Sequence, residues 1–166
     1  MRIRHAILAL AVLVAAVTLT SVAGAGPAAA KQRVGIDVKL YPQTTFVLTP
    51  MQSGPLQADS GKISHNFLSI PGRDVMRDGQ NVTIYNGGVI TLTGKRGTLT
   101  IRERTEWVDL QRDWNRDGES DSIAIGTWKV VRGTGQYAGT VGKGGMAHVG
   151  LGKVWYERHE GYLTAP

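Results

Sequence analysis

After residue 31 a glycine or proline interrupts this chain every several residues, and that spacing constrains the fold more than any other feature. Glycine costs about 1 kcal/mol and proline about 3 kcal/mol inside a helix, so few windows could hold one of ordinary length. Of the 22 glycines in the 166 residues, only Gly24 and Gly26 precede residue 31. A helical bundle and a coiled coil are excluded. Between the interruptions lie runs rich in Val, Ile, Thr, Tyr and Trp: Thr44–Gln52, Leu56–Ser69, Asn81–Gly94, Gly97–Leu110, Ser122–Arg132, Gly145–Gly152 and Lys153–Thr164. Short strands separated by turn signals predict an all-β sandwich or barrel. Closure removes exposed edges, and the expectation is a single antiparallel closed barrel of about eight strands. An interior of that size is filled by side chains or holds one small ligand.

Met1–Ala30 carries Arg2 and Arg4, the apolar run Ala6–Leu19, and a tail of small residues ending at Ala30. This is the layout of a secretory signal peptide. The expected organisation is a leader over 1–30 (a cut after Ala25 is the alternative), an N-terminal extension over 31–43 and a barrel domain over 44–166. The product is then secreted or extracytoplasmic. The apolar run is shorter than the roughly 20 residues of a spanning helix, so no stable membrane insertion is expected after cleavage. With no cysteine, disulfides, thiol catalysis, Cys-ligated zinc and covalent haem are excluded. Losing Arg2 and Arg4 lowers the net charge from +6 to +4. That charge is modest, and glutamates interrupt the basic zones near Arg102 and Arg158, so no nucleic-acid partner is expected.

Trp107, Leu110 and Trp114 fall at helical spacing, but Thr98–Arg102 alternates at period two. A strand running through about Val108 follows. If Leu99 faces inward, so do Ile101, Glu103, Thr105 and Trp107. Glu103 is then a carboxylate among apolar walls, where burial raises its pKa and suits it to general acid–base work. The same alternation puts Asn86 on the inner face with Val82, Ile84 and Ile90. Asn86, Ile101 and Trp107 are the expected ligand-lining residues. His65, His148 and His159 show no paired spacing that would suggest zinc, and read as surface or packed residues.

The glycine-rich segment Trp128–Gly142 lacks the helix start that a phosphate-binding loop needs. Its glycines instead suit a tight turn with Tyr137 packed beside it. Val130-Val131, then Gly133-Thr134-Gly135, Tyr137 and the following small residues resemble the signature of the allene oxide cyclase-like and dirigent-like barrels. Gly54-Pro55-Leu56 and Gly97–Ile101 add to the likeness, which spans Thr44–Leu163. The resemblance implies an eight-stranded antiparallel barrel with an apolar central cavity for an oily or phenolic compound, often in an oligomer. The catalytic residues of the plant members have no counterparts assigned in this chain.

Asp113, Asn115, Asp117 and Asp121 stand at positions 1, 3, 5 and 9 of a calcium-type loop, with Gly118 at 6 and Glu119 at 7. Ala124 replaces the bidentate Glu of position 12. The loop predicts either a weak Ca²⁺ site, on the order of 10⁻⁴–10⁻³ M, or a plain polar hairpin tip. No organic cofactor is indicated. Three functions follow: a non-enzymatic barrel binding a small apolar or phenolic molecule, an isomerase or cyclase using Glu103, or a cell-envelope interaction protein with a filled interior.

Overall fold

The computed structural model describes residues 29–40, 43–66 and 70–166. Apart from Ala29 and Ala30, the expected leader lies outside these residues. Nine strands form one antiparallel sheet: β1 (Lys31–Leu40), β2 (Thr45–Pro50), β3 (Asp59–His65), β4 (Arg73–Arg77), β5 (Gln80–Gly94), β6 (Thr98–Asp109), β7 (Ser122–Gly133), β8 (Val141–Leu151) and β9 (Val154–Thr164). The order is β3-β2-β1-β9-β8-β7-β6-β5-β4, and β3 also pairs with β5. The pairings therefore return on themselves through eight strands, ring-like. β4 stays outside that circuit, against the first half of β5.

Lys31–Leu40, within the stretch expected as an N-terminal extension, form β1, which lies between β2 and β9. The physical reason is plain alternation. Val34, Ile36, Val38 and Leu40 are each at most 3% exposed, while Arg33, Asp37 and Lys39 face solvent. Four aliphatic side chains at about 1.5–3 kcal/mol each draw the strand into the sheet. β6 keeps the predicted parity, with Leu99, Ile101, Glu103 and Thr105 buried in turn. Phe46, Leu48, Ile90, Leu92, Leu99 and Leu163 share the same core.

β5 does not keep one parity. A bulge between Asn86 and Gly88 places the intervening Gly87 at φ 104°, which glycine adopts without a Cβ clash. Beyond it, Gly88, Ile90 and Leu92 face the core. Before it, Ile84 pairs with Glu106 and Glu106 with Ile125, which is 66% exposed. Opposed residues share a face, so Val82, Ile84 and Asn86 point outward while Thr83 and Tyr85 point inward. Asn86 is exposed. The expectation that it lines the interior is overturned, because one inserted residue reverses every side chain upstream.

The glycine-rich segment becomes the end of β7 and a 3-10 turn over Gly135–Tyr137, with Gly135 at φ 60° and Gly139 at φ 69°. Tyr137 is fully buried, and its hydroxyl donates to Asp59 Oδ2 at 3.0 Å.

Candidate functional site

Pairing register builds the site. β6, β7, β8 and β9 lay Trp107, Ala124, His148 and Glu157 side by side on the inner face. One step along, Thr105, Gly126, Met146 and His159 do the same. A further step brings Glu103, Trp128, Gly144 and Gly161. At this third level the glycines make room. A Cβ on either Gly144 or Gly161 would come within 2.7 Å of the Trp128 indole, whose Nε1–H donates to the Gly145 carbonyl at 3.0 Å.

Toward one end of the ring the inner face is not filled. A cavity of about 230 Å³ is lined by Ile70, Tyr85, Thr105, Trp107, Ala124, Met146, His148, Trp155 and Glu157. Its wall is aromatic: the Trp107 and His148 rings meet at a tilt of 44° with centroids 4.4 Å apart, and Trp155 meets Trp107 edge-on at 5.6 Å. Its polar pole is His148 with Glu157, whose Nδ1 and Oε1 stand 3.2 Å apart. Both residues are buried.

Behind that pole lies a second buried pair. His159 Nε2 hydrogen-bonds Glu103 Oε1 and stands 3.9 Å from Glu157 Oε2. Burial raises the Glu103 pKa from its ordinary carboxylate range, and the charge of Glu157 adds to this, against the opposing pull of His159. Burial alone would lower His159, but its hydrogen bond to Glu103 and the charges of Glu103 and Glu157 outweigh that and raise it. Glu103 Oε2 and Glu157 Oε2 have no hydrogen-bond partner among the described residues.

The expected site residues are placed unevenly. Glu103 is inside and 2% exposed, yet it is not part of the cavity wall and reaches it through His159 and Glu157. Trp107 lines the cavity. Ile101 is fully buried in the core and does not line it. Asn86 belongs to a groove on the outer face beside Arg102, Lys129 and Lys143.

The acidic loop directs its oxygens at its own backbone. Asp113 accepts from the amides of Asp117 and Gly118 at 3.1 and 2.9 Å. Asp117 accepts from Glu119 at 3.0 Å and Lys153 at 2.9 Å. Asp121, fully buried, accepts from Trp114 at 2.8 Å and Gly152 at 3.0 Å. Among the described residues, the loop acids form no group of three with converging ligand atoms.

His148, Glu157 and His159 escaped the sequence reading because their spacing along the chain is uninformative. The signal lay in the β8–β9 hairpin. Its turn pairs Leu151 with Val154, and counting back three steps sets His148 opposite Glu157. Set against family models, curated proteins and solved structures, the chain matches none.

Proposed function

We propose that the pairing ring is a closed barrel and that its end cavity binds one small, largely aromatic molecule bearing a single polar group. The cavity carries this reading: three aromatic rings and Met146 surround a single polar pole, His148–Glu157. A few convergent polar groups in an otherwise apolar hollow are what a small-molecule site requires. Its volume of about 230 Å³ exceeds the roughly 150 Å³ that accommodates benzene, so a one-ring phenol with a short substituent fits. A barrel of this kind accords with the resemblance to the allene oxide cyclase-like proteins, and export would place it outside the cytoplasm.

p-Cresol and toluene test the reading. p-Cresol is expected to quench Trp107 and Trp155 fluorescence and to bind about tenfold more tightly than toluene, the worth of one hydrogen bond to the pole. Ala124→Phe, which fills the hollow between Trp107 and His148, is expected to abolish binding while the far-UV spectrum stays β. Native mass spectrometry of protein from its own host would show the retained molecule. Equal affinity for both probes, or binding that survives Ala124→Phe, counts against the proposal.

One observation favours a second reading, an acid–base enzyme of the isomerase or cyclase kind. Glu157 belongs at once to the cavity wall and to the buried group with His159 and Glu103. Such a relay could move a proton to or from a bound carbonyl compound. In deuterium oxide a cyclic enone in the cavity would then acquire deuterium beside its carbonyl, and Glu157→Gln would stop the exchange.

A further inference from the structure

Glu103 on β6 and Glu157 and His159 on β9 each bring one ligand atom to within 4.8 Å of the others, and all three are buried. An unpaired carboxylate oxygen in such a place has lost its water without a replacement donor. Here two are without a hydrogen-bond partner among the described residues, Glu103 Oε2 and Glu157 Oε2. The ion pairs of these acids run to His159 and His148, and no Lys or Arg among the described residues pairs with them. The cluster therefore has more acceptor capacity than its own residues satisfy.

We infer that Glu103, Glu157 and His159 bind one divalent transition cation of the Zn²⁺ or Mn²⁺ class. The donor set is one imidazole nitrogen and two carboxylates, without thiolate. That combination suits these cations, whereas Cu⁺ favours sulfur and Ca²⁺ takes six to eight oxygens. Supporting contacts orient the ligands as metal sites require. Glu157 Oε1 is held by His148 Nδ1 at 3.2 Å, which leaves Oε2 turned toward His159. His159 turns Nε2 toward both carboxylates. Ligand atoms on one Zn²⁺, each about 2.1 Å from it, stand roughly 3 to 4 Å apart. His159 Nε2 and Glu157 Oε2, at 3.9 Å, already meet that spacing, and a turn of the Glu103 carboxylate brings in the third. The inference stands on this cluster alone and does not need the cavity to hold an organic molecule.

The test uses the folded protein after dialysis against EDTA, with ZnCl₂ and CoCl₂ as probes. Calorimetry is expected to show one equivalent of Zn²⁺ per chain with release of protons, since the ligands must be deprotonated. Glu157→Gln keeps the side-chain shape and is expected to lower affinity more than about tenfold, while Asp117→Ala in the acidic loop changes nothing. Each variant is first shown to retain its near-UV spectrum and a cooperative melt. A readout independent of variants is the imidazole NMR spectrum: Co²⁺ should broaden His159 and then His148 before His65. Absence of bound Zn²⁺ in folded wild-type protein overturns the inference. So does unchanged binding by Glu157→Gln, or cobalt broadening that spares His159. p-Cresol binding that persists in the metal-free protein would leave the cavity reading standing whichever way these results fall.

Discussion

Tyr137 and Asp59 show how one buried polar pair can fasten three parts of a sheet. Asp59, at the start of β3, accepts from the amides of Ser60 and Lys95 through Oδ1 and from the Arg96 amide and Tyr137 hydroxyl through Oδ2. Burial pushes the Tyr137 phenol well above its ordinary 10.0, and the Asp59 carboxylate adds to the rise. At neutral pH Tyr137→Phe leaves a carboxylate oxygen short of a donor and is expected to cost about 1–3 kcal/mol. The same shift fixes a pH dependence. Above pH 10.0 the unfolded phenol ionises while the folded one keeps its proton, so the native state binds more protons and stability falls as pH rises. Below that value the contribution is fully present. Denaturant midpoints measured from about pH 9 to about pH 11 should therefore fall more steeply for wild type than for Tyr137→Phe. Parallel curves would show that Tyr137 carries no part of the alkaline loss.

At the scale of elements, the acidic loop acts as a strap between hairpins. Asp121 and Asp117 receive the amides of Gly152 and Lys153 in the β8–β9 turn, and Gly152 in turn accepts the indole N–H of Trp155 at 2.9 Å. The loop thus steadies one wall of the cavity, and its carboxylates have their amides without a cation. Asp121→Ala is expected to cost about 1–3 kcal/mol and to loosen Trp155, seen as a red-shifted and weakened emission. Several millimolar Ca²⁺ is expected to leave the wild-type melting temperature unchanged. A calorimetric heat that Asp117→Ala removes would instead support the weak Ca²⁺ site. The period-two pattern of β6 was legible because nothing interrupts it between Thr98 and Asp109. β5 was misread because a bulge is defined by the partner strand, and a lone Gly87-Gly88 does not say which way the extra residue turns. β1 was legible in Val34, Ile36, Val38 and Leu40 but directly follows the run of small residues that ends at Ala30. β4, five residues with only Val75 partly buried, carries no such pattern.

At the scale of the molecule, the buried cluster exists only because the sheet comes round. Glu103 lies on β6 and His159 on β9, two strands intervene, and no local pattern joins them. What holds the circuit is uneven. β1 meets β9 along Lys31–Leu40, and β8 meets β9 along Val141–Leu151. β3, by contrast, meets β2 only over Asp59–Lys62 and β5 only over Gly61–His65. Fewer ladder bonds and fewer buried side chains give a segment a lower opening free energy than the whole fold. Gly61 at the crossing of the two seams is constrained as well, since a Cβ there would come within 2.0 Å of the Thr93 carbonyl oxygen. Native-state hydrogen exchange is therefore expected to show the amides of β3 opening below the global unfolding free energy, with those of β1, β8 and β9 exchanging only on global unfolding. Gly61→Ala should widen that gap by weakening the β3–β5 seam first, while the His159 resonances, held by the opposite side of the ring, keep their positions. Equal protection in β3 and β9, or loss of the His159 environment together with β3, would mean that the sheet opens only as a whole.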